Sequence, residues 1–184
     1  HVVDVANFLN TMGADIHGAG TDMIKITGVK KLSGNANYSI VPDQIETGTF
    51  MLAAVASQGD IVIHNCIPKH LECLTAKILE IGGNVEENGD SLHVWCDSKP
   101  SKANIKTLPY PGFPTDLQQI IATFLTQCQG KSLIEETIYE NRFQNLKELK
   151  RMGAKTKVKR GNRKAIIRGK TKLKGTDVVA SDLR

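Results

Sequence analysis

The chain repeats itself about every 70 residues, and a repeat of that length ties the fold to one supersecondary unit used again. Met12-Gly13-Ala14, Ile81-Gly82-Gly83 and Met152-Gly153-Ala154 read as three copies of one helix ending. Asp43, Asp116 and Asp182 read as three copies of one turn. Gly59 to Gly130 and Gly82 to Gly153 are both steps of 71. A residue that departs from the repeat therefore needs a reason of its own.

Each unit opens with an amphipathic helix. Val2, Val5, Ala6, Leu9 and Met12 share one face in the first copy, Leu71, Leu74, Ile78 and Ile81 in the second, and Leu146, Leu149 and Met152 in the third. Gly13, Gly82 and Gly153 stand where a helix end needs a left-handed residue. Strands are expected around Ile24-Lys25-Ile26, Leu92-His93-Val94-Trp95 and Ala165-Ile166-Ile167. Asp43-Gln44-Ile45-Glu46 and Asp116-Leu117-Gln118-Gln119 have the form of a capping box ahead of a second helix. Those helices carry the bare runs Phe50 to Ala56 and Ile120 to Leu125, which predicts burial on all sides. Gly59-Asp60 and Gly130-Lys131 close them, and Ile61-Val62-Ile63 and Ser132-Leu133-Ile134 follow as strands. The expected class is α/β built of repeated units with buried helices and outer sheets. A parallel sheet wrapped by helices would put the bare runs in strands instead.

The pattern starts inside a helix at His1 and stops after a turn signal at Arg184, so a fragment of a longer protein is expected. No apolar run approaches 18 residues, and no signal peptide is evident. Four cysteines without a CxxC suit reduced thiols in a cytoplasmic protein. Of 24 Lys and Arg, 13 lie between Lys147 and Lys174 against one acid, leaving 11 basic and 18 acidic residues elsewhere. No aromatic residue follows Phe143, so this stretch has no stacking platform for nucleic acid. It reads as a solvated edge or an electrostatic funnel for a small anion.

Three departures stand out. By the step of 71, Leu71 corresponds to Arg142, an apolar anchor turned guanidinium. Such a side chain must face an anion or a carboxylate, and Glu135, Glu136 and Glu140 are at hand. Asp116 has a helix-cap role open to it, but three prolines in Pro109-Tyr110-Pro111-Gly112-Phe113-Pro114 also fix its approach, which suits a binding site. His64, Cys66, His70 and Cys73 imitate a zinc site, yet their counterparts Glu135, Thr137, Asn141 and Gln144 show no ligand habit, so no metal is expected. The common nucleotide and hydrolase signatures are absent.

Ala6-Asn7-Phe8-Leu9, Gly18-Ala19-Gly20-Thr21-Asp22, Pro42-Asp43 with Ile45 to Phe50, Pro109 to Gln118, Glu140-Asn141-Arg142-Phe143 and Ser181-Asp182-Leu183-Arg184 together carry a resemblance along the whole chain. The sequence resembles the enolpyruvyl transferases, in particular those acting on UDP-N-acetylglucosamine. The resemblance implies two inside-out α/β barrels, with residues 1 to about 40 ending one. Residues 41 to 184 then give two repeats of the other, the last truncated. It implies transfer of the enolpyruvyl group of phosphoenolpyruvate to the 3′-hydroxyl of UDP-N-acetylglucosamine with release of phosphate, at the first committed step of peptidoglycan synthesis. It implies no cofactor, no nucleic acid, no membrane and a need for the remainder of the chain. Asp116 matches the family aspartate at the 3′-hydroxyl and is a candidate base or positioning acceptor. Ile138 matches a backbone contact to the UDP-sugar, Arg142 a site arginine, and Asp182 and Arg184 a turn facing phosphoenolpyruvate. Gln44 departs from the family's usual arginine, and none of the four cysteines lies in the motif of its reactive loop. Two alternatives remain, the sister enzyme using shikimate 3-phosphate and a non-catalytic anion-binding repeat protein.

Overall fold

A computed structural model describes residues 1–180, so Asp182 and Arg184 lie outside the described residues. The chain forms two compact units that divide after Pro42. In the first, helix α1 (Val2–Thr11) is followed by β1 (Asp15–His17) and β2 (Lys25–Thr27), which pair antiparallel. Tyr38 returns to α1, donating its hydroxyl to Asp4 Oδ1 at 2.7 Å and setting its ring 5.4 Å from Phe8. On the face expected to be buried, Ala6 is buried, Leu9 and Met12 are half-buried, and Val2 and Val5 are exposed.

The second unit begins with α2 (Gln44–Ser57) and β3 (Asp60–Ile63). A 3₁₀ turn, Pro68–Leu71, leads into α3 (Glu72–Ile81), then β4 (Asn84–Asn88) and β5 (Ser91–Trp95). The next round holds β6 (Ile105–Lys106), a 3₁₀ turn Thr115–Leu117, α4 (Gln118–Leu125) and β7 (Gly130–Glu135). It closes with α5 (Asn145–Arg151), β8 (Lys155–Val158) and β9 (Lys164–Gly169). β3-β5-β4 is an antiparallel sheet; in β6-β7-β9-β8 only the β6–β7 pair is parallel.

The repeated helix endings are real. Gly13, Gly82 and Gly153 have φ of 93°, 102° and 99°. The amide after each glycine reaches back to Leu9, Ile78 and Leu149, which satisfies carbonyls that the helix leaves open. The helix at Phe50 to Ala56 ends differently: Gln58, not Gly59, takes the left-handed position. Gly130 is the first residue of β7 rather than the close of α4, which stops at Leu125.

Helix α2 packs on α3 and α4, and Met51, Leu52, Val55, Leu74, Ile78, Leu117, Ile121 and Leu125 make the core with Leu92, Val94, Ile134, Ala165 and Ile167 from the sheets. Gly48 makes the α2 approach possible, since a β-carbon there would stand 2.6 Å from Leu117 Cδ1 and 2.9 Å from Leu74 Cδ2. Helix α2 is not buried on all sides, however. Glu46, Phe50, Ala53 and Ser57 form a stripe at helical spacing that faces solvent, with Phe50 53% exposed. The bare run misled because apolarity marks what a helix can bury, whereas burial needs a neighbour on each side.

Below the C-terminal end of α4, a methyl group on Gly169 would run into the carbonyl oxygens of Leu125, Thr126 and Cys128. Gly169→Ala is expected to cost about 1–3 kcal/mol of stability through overpacking, read by chemical denaturation.

Candidate functional site

Two segments meet at one end of the second unit. The first is the proline-rich loop after β6. The Leu108 amide donates to the Phe113 carbonyl and the Gly112 amide to Pro109, folding the loop back on itself. A side chain at Gly112 would strike Leu108, and Phe113 is buried as the anchor. Pro114 then delivers Thr115 and Asp116 into a 3₁₀ turn.

The second segment continues β7. Ser132 and Ile134 point inward and are buried, and the two-residue period carries Glu136 inward as well. Glu136 is 0% exposed. Its Oε1 accepts from Thr107 Oγ1 at 2.9 Å, the Ile138 amide at 2.9 Å and the Tyr139 amide at 3.2 Å, while Oε2 accepts from Thr115 Oγ1 at 2.9 Å. Thr137 joins the same corner, its amide donating to Thr107 Oγ1 and its hydroxyl to the Thr107 carbonyl. Asn141 turns the chain with φ 57°, so that Arg142 points back inside.

The Arg142 side chain is 0% exposed, and its Nη2 donates to Asp116 Oδ1 at 2.9 Å. Its Nη1 donates to Thr115 Oγ1 at 2.6 Å, and its guanidinium carbon lies 4.7 Å from the centre of the Tyr139 ring. The residue in Leu71's place thus remains buried like Leu71 and brings a charge with it. None of the nearby glutamates pairs with it directly: Glu135 pairs with Lys164 at 3.2 Å, Glu140 with Arg163 at 3.0 Å, and Glu136 reaches it only through Thr115.

Asp116 is not the helix cap the sequence suggested. Asp43 is one, extended at φ −74° and ψ 112° and accepting from the Ile45 amide at 2.7 Å. In the second copy Pro114 occupies that extended position, the turn starts one residue earlier than Asp116, and neither the turn nor α4 has a side-chain cap. The Asp116 carboxylate is free to meet Arg142 and stays 45% exposed, with no partner for Oδ2 among the described residues. What the site offers chemically is one carboxylate oxygen at the surface, held by a buried cation and able to accept from a hydroxyl or an ammonium group. Ile138 is half-buried, and its amide is already given to Glu136, which leaves its carbonyl as the free backbone group.

Sequence reasoning brought Asp116, Ile138 and Arg142 forward, and these three share one corner. It passed over Thr107, Thr115 and Tyr139 and treated Glu136 only as one possible partner of Arg142. The inward parity of Ser132, Ile134 and Glu136 was the signal that could have found the glutamate. No group of three or more His, Cys, Asp or Glu could hold a metal ion among the described residues. Cys66 is buried beside the Asp90 carbonyl, and Cys73 faces the Pro111 carbonyl. The basic stretch builds β8 and β9, and its residues, Lys150 of α5 among them, line an open groove of about 410 Å³ that shares no residue with the Asp116 corner. No described helix is long and apolar enough to cross a membrane.

Comparison with known proteins gives a consistent neighbourhood. The family model for EPSP synthase (3-phosphoshikimate 1-carboxyvinyltransferase) matches residues 1–184. A UDP-N-acetylglucosamine 1-carboxyvinyltransferase of Clostridium botulinum is 57% identical over the whole chain, which spans 43% of that relative. One from Desulfofundulus thermocisternus is 51% identical over 98% of the chain and 74% of the relative. The chain thus covers less than half of the first of these. Among solved structures, the enolpyruvyl transferase NikO from Streptomyces tendae matches 91% of the chain and 40% of its own, with TM-score 0.77 and 23% identity. EPSP synthase from Acinetobacter baumannii matches 94% of the chain and 40% of its own, with TM-score 0.55 and 15% identity.

Arg142→Ala is expected to lower stability by about 2–5 kcal/mol in denaturant unfolding, because a fully buried side chain leaves a cavity and Thr115 and Asp116 lose their shared donor. A second expectation concerns Cys128, whose thiol burial pushes up to about 12, with Cys96 adding to the effect. The thiolate is the reactive form, so Cys128 should remain unalkylated at pH 8 while half-exposed Cys73 is modified; peptide mass spectrometry distinguishes them.

Proposed function

The chain belongs to the EPSP synthase family of carboxyvinyl transferases, and on that premise we propose that it works as a segment of an enzyme transferring the enolpyruvyl group of phosphoenolpyruvate to the 3′-hydroxyl of UDP-N-acetylglucosamine. Phosphate is the second product, and the reaction serves peptidoglycan synthesis in a bacterial cytoplasm. The observation that carries this reading is the half-exposed Asp116 carboxylate locked onto the buried Arg142 at the end of a rigid loop.

The reaction needs an acceptor for the hydroxyl proton, an acid for the methylene of phosphoenolpyruvate and cations for its phosphate and carboxylate. Asp116 takes the first part: Oδ1 is held by Arg142, the side chain is half-exposed, and Oδ2, without a partner among the described residues, receives the hydroxyl. Arg142 has no exposed side-chain atom and contributes through Asp116 rather than by reaching a phosphate. Ile138 offers its carbonyl to the sugar nucleotide, since its amide is engaged. Asp182 and Arg184 belong to the phosphoenolpyruvate side. The remaining acid and cations come from the rest of a longer chain, so this segment alone is inactive.

The same premise extends to architecture. Residues 1 to about 40 end one inside-out barrel and residues from about 41 belong to a second, a reading supported by the division after Pro42 and by helices α2 and α4 packing on each other and on strands β3, β5 and β9. A further repeat then covers the exposed stripe of α2. The sister reaction on shikimate 3-phosphate is less favoured, because relatives at 48–57% identity bear the UDP-N-acetylglucosamine name whereas the Acinetobacter EPSP synthase stands at 15%.

The test uses the full-length protein. Calorimetry should show saturable binding of UDP-N-acetylglucosamine, and addition of phosphoenolpyruvate should release phosphate. Asp116→Asn should lower turnover by about 100-fold or more. It should also lower the melting temperature, because buried Arg142 loses its direct charge partner, so turnover is compared at a temperature where the variant is folded. Sugar-nucleotide binding without phosphate release would leave only an anion-binding module.

A further inference from the structure

Glu136 spends a buried carboxylate on no substrate-facing surface at all. An ionised carboxylate is costly to bury unless every lone pair is used, and here four donors meet it. No Lys or Arg pairs with it directly among the described residues, and its link to positive charge runs through one hydroxyl. A carboxylate only accepts, so the Thr115 proton must point at Glu136 Oε2. The Thr115 oxygen then has its lone pairs turned to Arg142 Nη1, which donates to it at 2.6 Å. With Nη1 fixed, the planar guanidinium directs Nη2 at Asp116 Oδ1. The two amides that Glu136 holds also set the turn carrying the Tyr139 ring against the same guanidinium.

We propose that Glu136 is a positioning residue for the proposed transfer, acting through the Thr115 hydroxyl and Arg142 to aim the Asp116 carboxylate. The proposal rests on the enolpyruvyl reading for its kinetic consequence, but its physical content is the polarity of a hydrogen-bond chain, Glu136 to Thr115 to Arg142 to Asp116. An amide at 136 whose nitrogen faces Thr115 reverses that polarity. The hydroxyl oxygen then accepts from the amide as well as from Arg142 Nη1, its proton is no longer drawn to an anion, and its hold on Arg142 loses the polarisation that a carboxylate supplies.

In the full-length protein, Glu136→Gln and Thr115→Val should each lower kcat by about 10- to 100-fold, the cost of a misaimed catalytic group, while the KM for phosphoenolpyruvate changes less than threefold. Thr115→Ser, which keeps the hydroxyl, should retain kcat within about threefold of the starting protein. Adding Glu136→Gln to Asp116→Asn should reduce kcat no further, whereas a purely structural glutamate would give multiplying losses. Should Glu136→Gln fail to fold, Thr115→Val still decides, since it leaves Glu136 with three of its donors. An activity-independent readout is the Arg142 side chain in nitrogen-15 NMR: its η protons should be separate and slowly exchanging, and should coalesce in Thr115→Val. Unchanged kcat in Thr115→Val, multiplying losses in the double variant, or an Arg142 equally ordered without the hydroxyl would each overturn the proposal. If the starting protein shows no transfer, the enolpyruvyl reading falls, and the NMR comparison alone decides the positioning role.

Discussion

The buried guanidinium of Arg142 organises the described part of this protein. Taking that charge out of water costs several kcal/mol, and the cost is offset only when acceptors surround it in good geometry. Those acceptors come from a distant part of the chain, Thr115 and Asp116, which lie 27 and 26 residues earlier. The proline-rich loop and the continuation of β7 are therefore obliged to meet. The half-exposed Tyr139 ring closes another side of the cation, a contact worth about 1 kcal/mol. What reaches solvent from this assembly is a half-exposed carboxylate beside the half-exposed Tyr139 ring, so a long-range packing constraint ends as a local chemical feature.

Much of this was legible from the repeat. Glycines at 13, 82 and 153 mark helix endings because a left-handed backbone there is cheap only for glycine, and all three take it. The replacement of Leu71's counterpart by Arg142 flagged a buried charge before any coordinates, and the position is indeed buried.

What stayed hidden depended on geometry that spacing does not carry. Asp43 and Asp116 look alike in sequence, yet one caps α2 while the other sits inside a 3₁₀ turn that begins after Pro114. A shift of two residues in where a turn starts moves a carboxylate from a backbone amide to a guanidinium. Glu136 was one of three neighbouring acids: the inward parity of β7 separates it from Glu135, and Glu140 lies past the end of the strand; both of those pair with cations outside the Arg142 corner. Exposure along α2 was misread because periodicity reports a helix's own faces and not the number of its neighbours.

That same stripe on α2 has a bearing on colloidal behaviour. Phe50 presents about half its surface to water next to Ala53, on a helix whose other side is fully packed, and exposed apolar faces of this kind drive self-association rather than unfolding. Phe50 then contributes to self-association of these residues in isolation, through a surface property that melting experiments do not register. Handling the segment apart from a longer chain becomes a question of shielding one helix face.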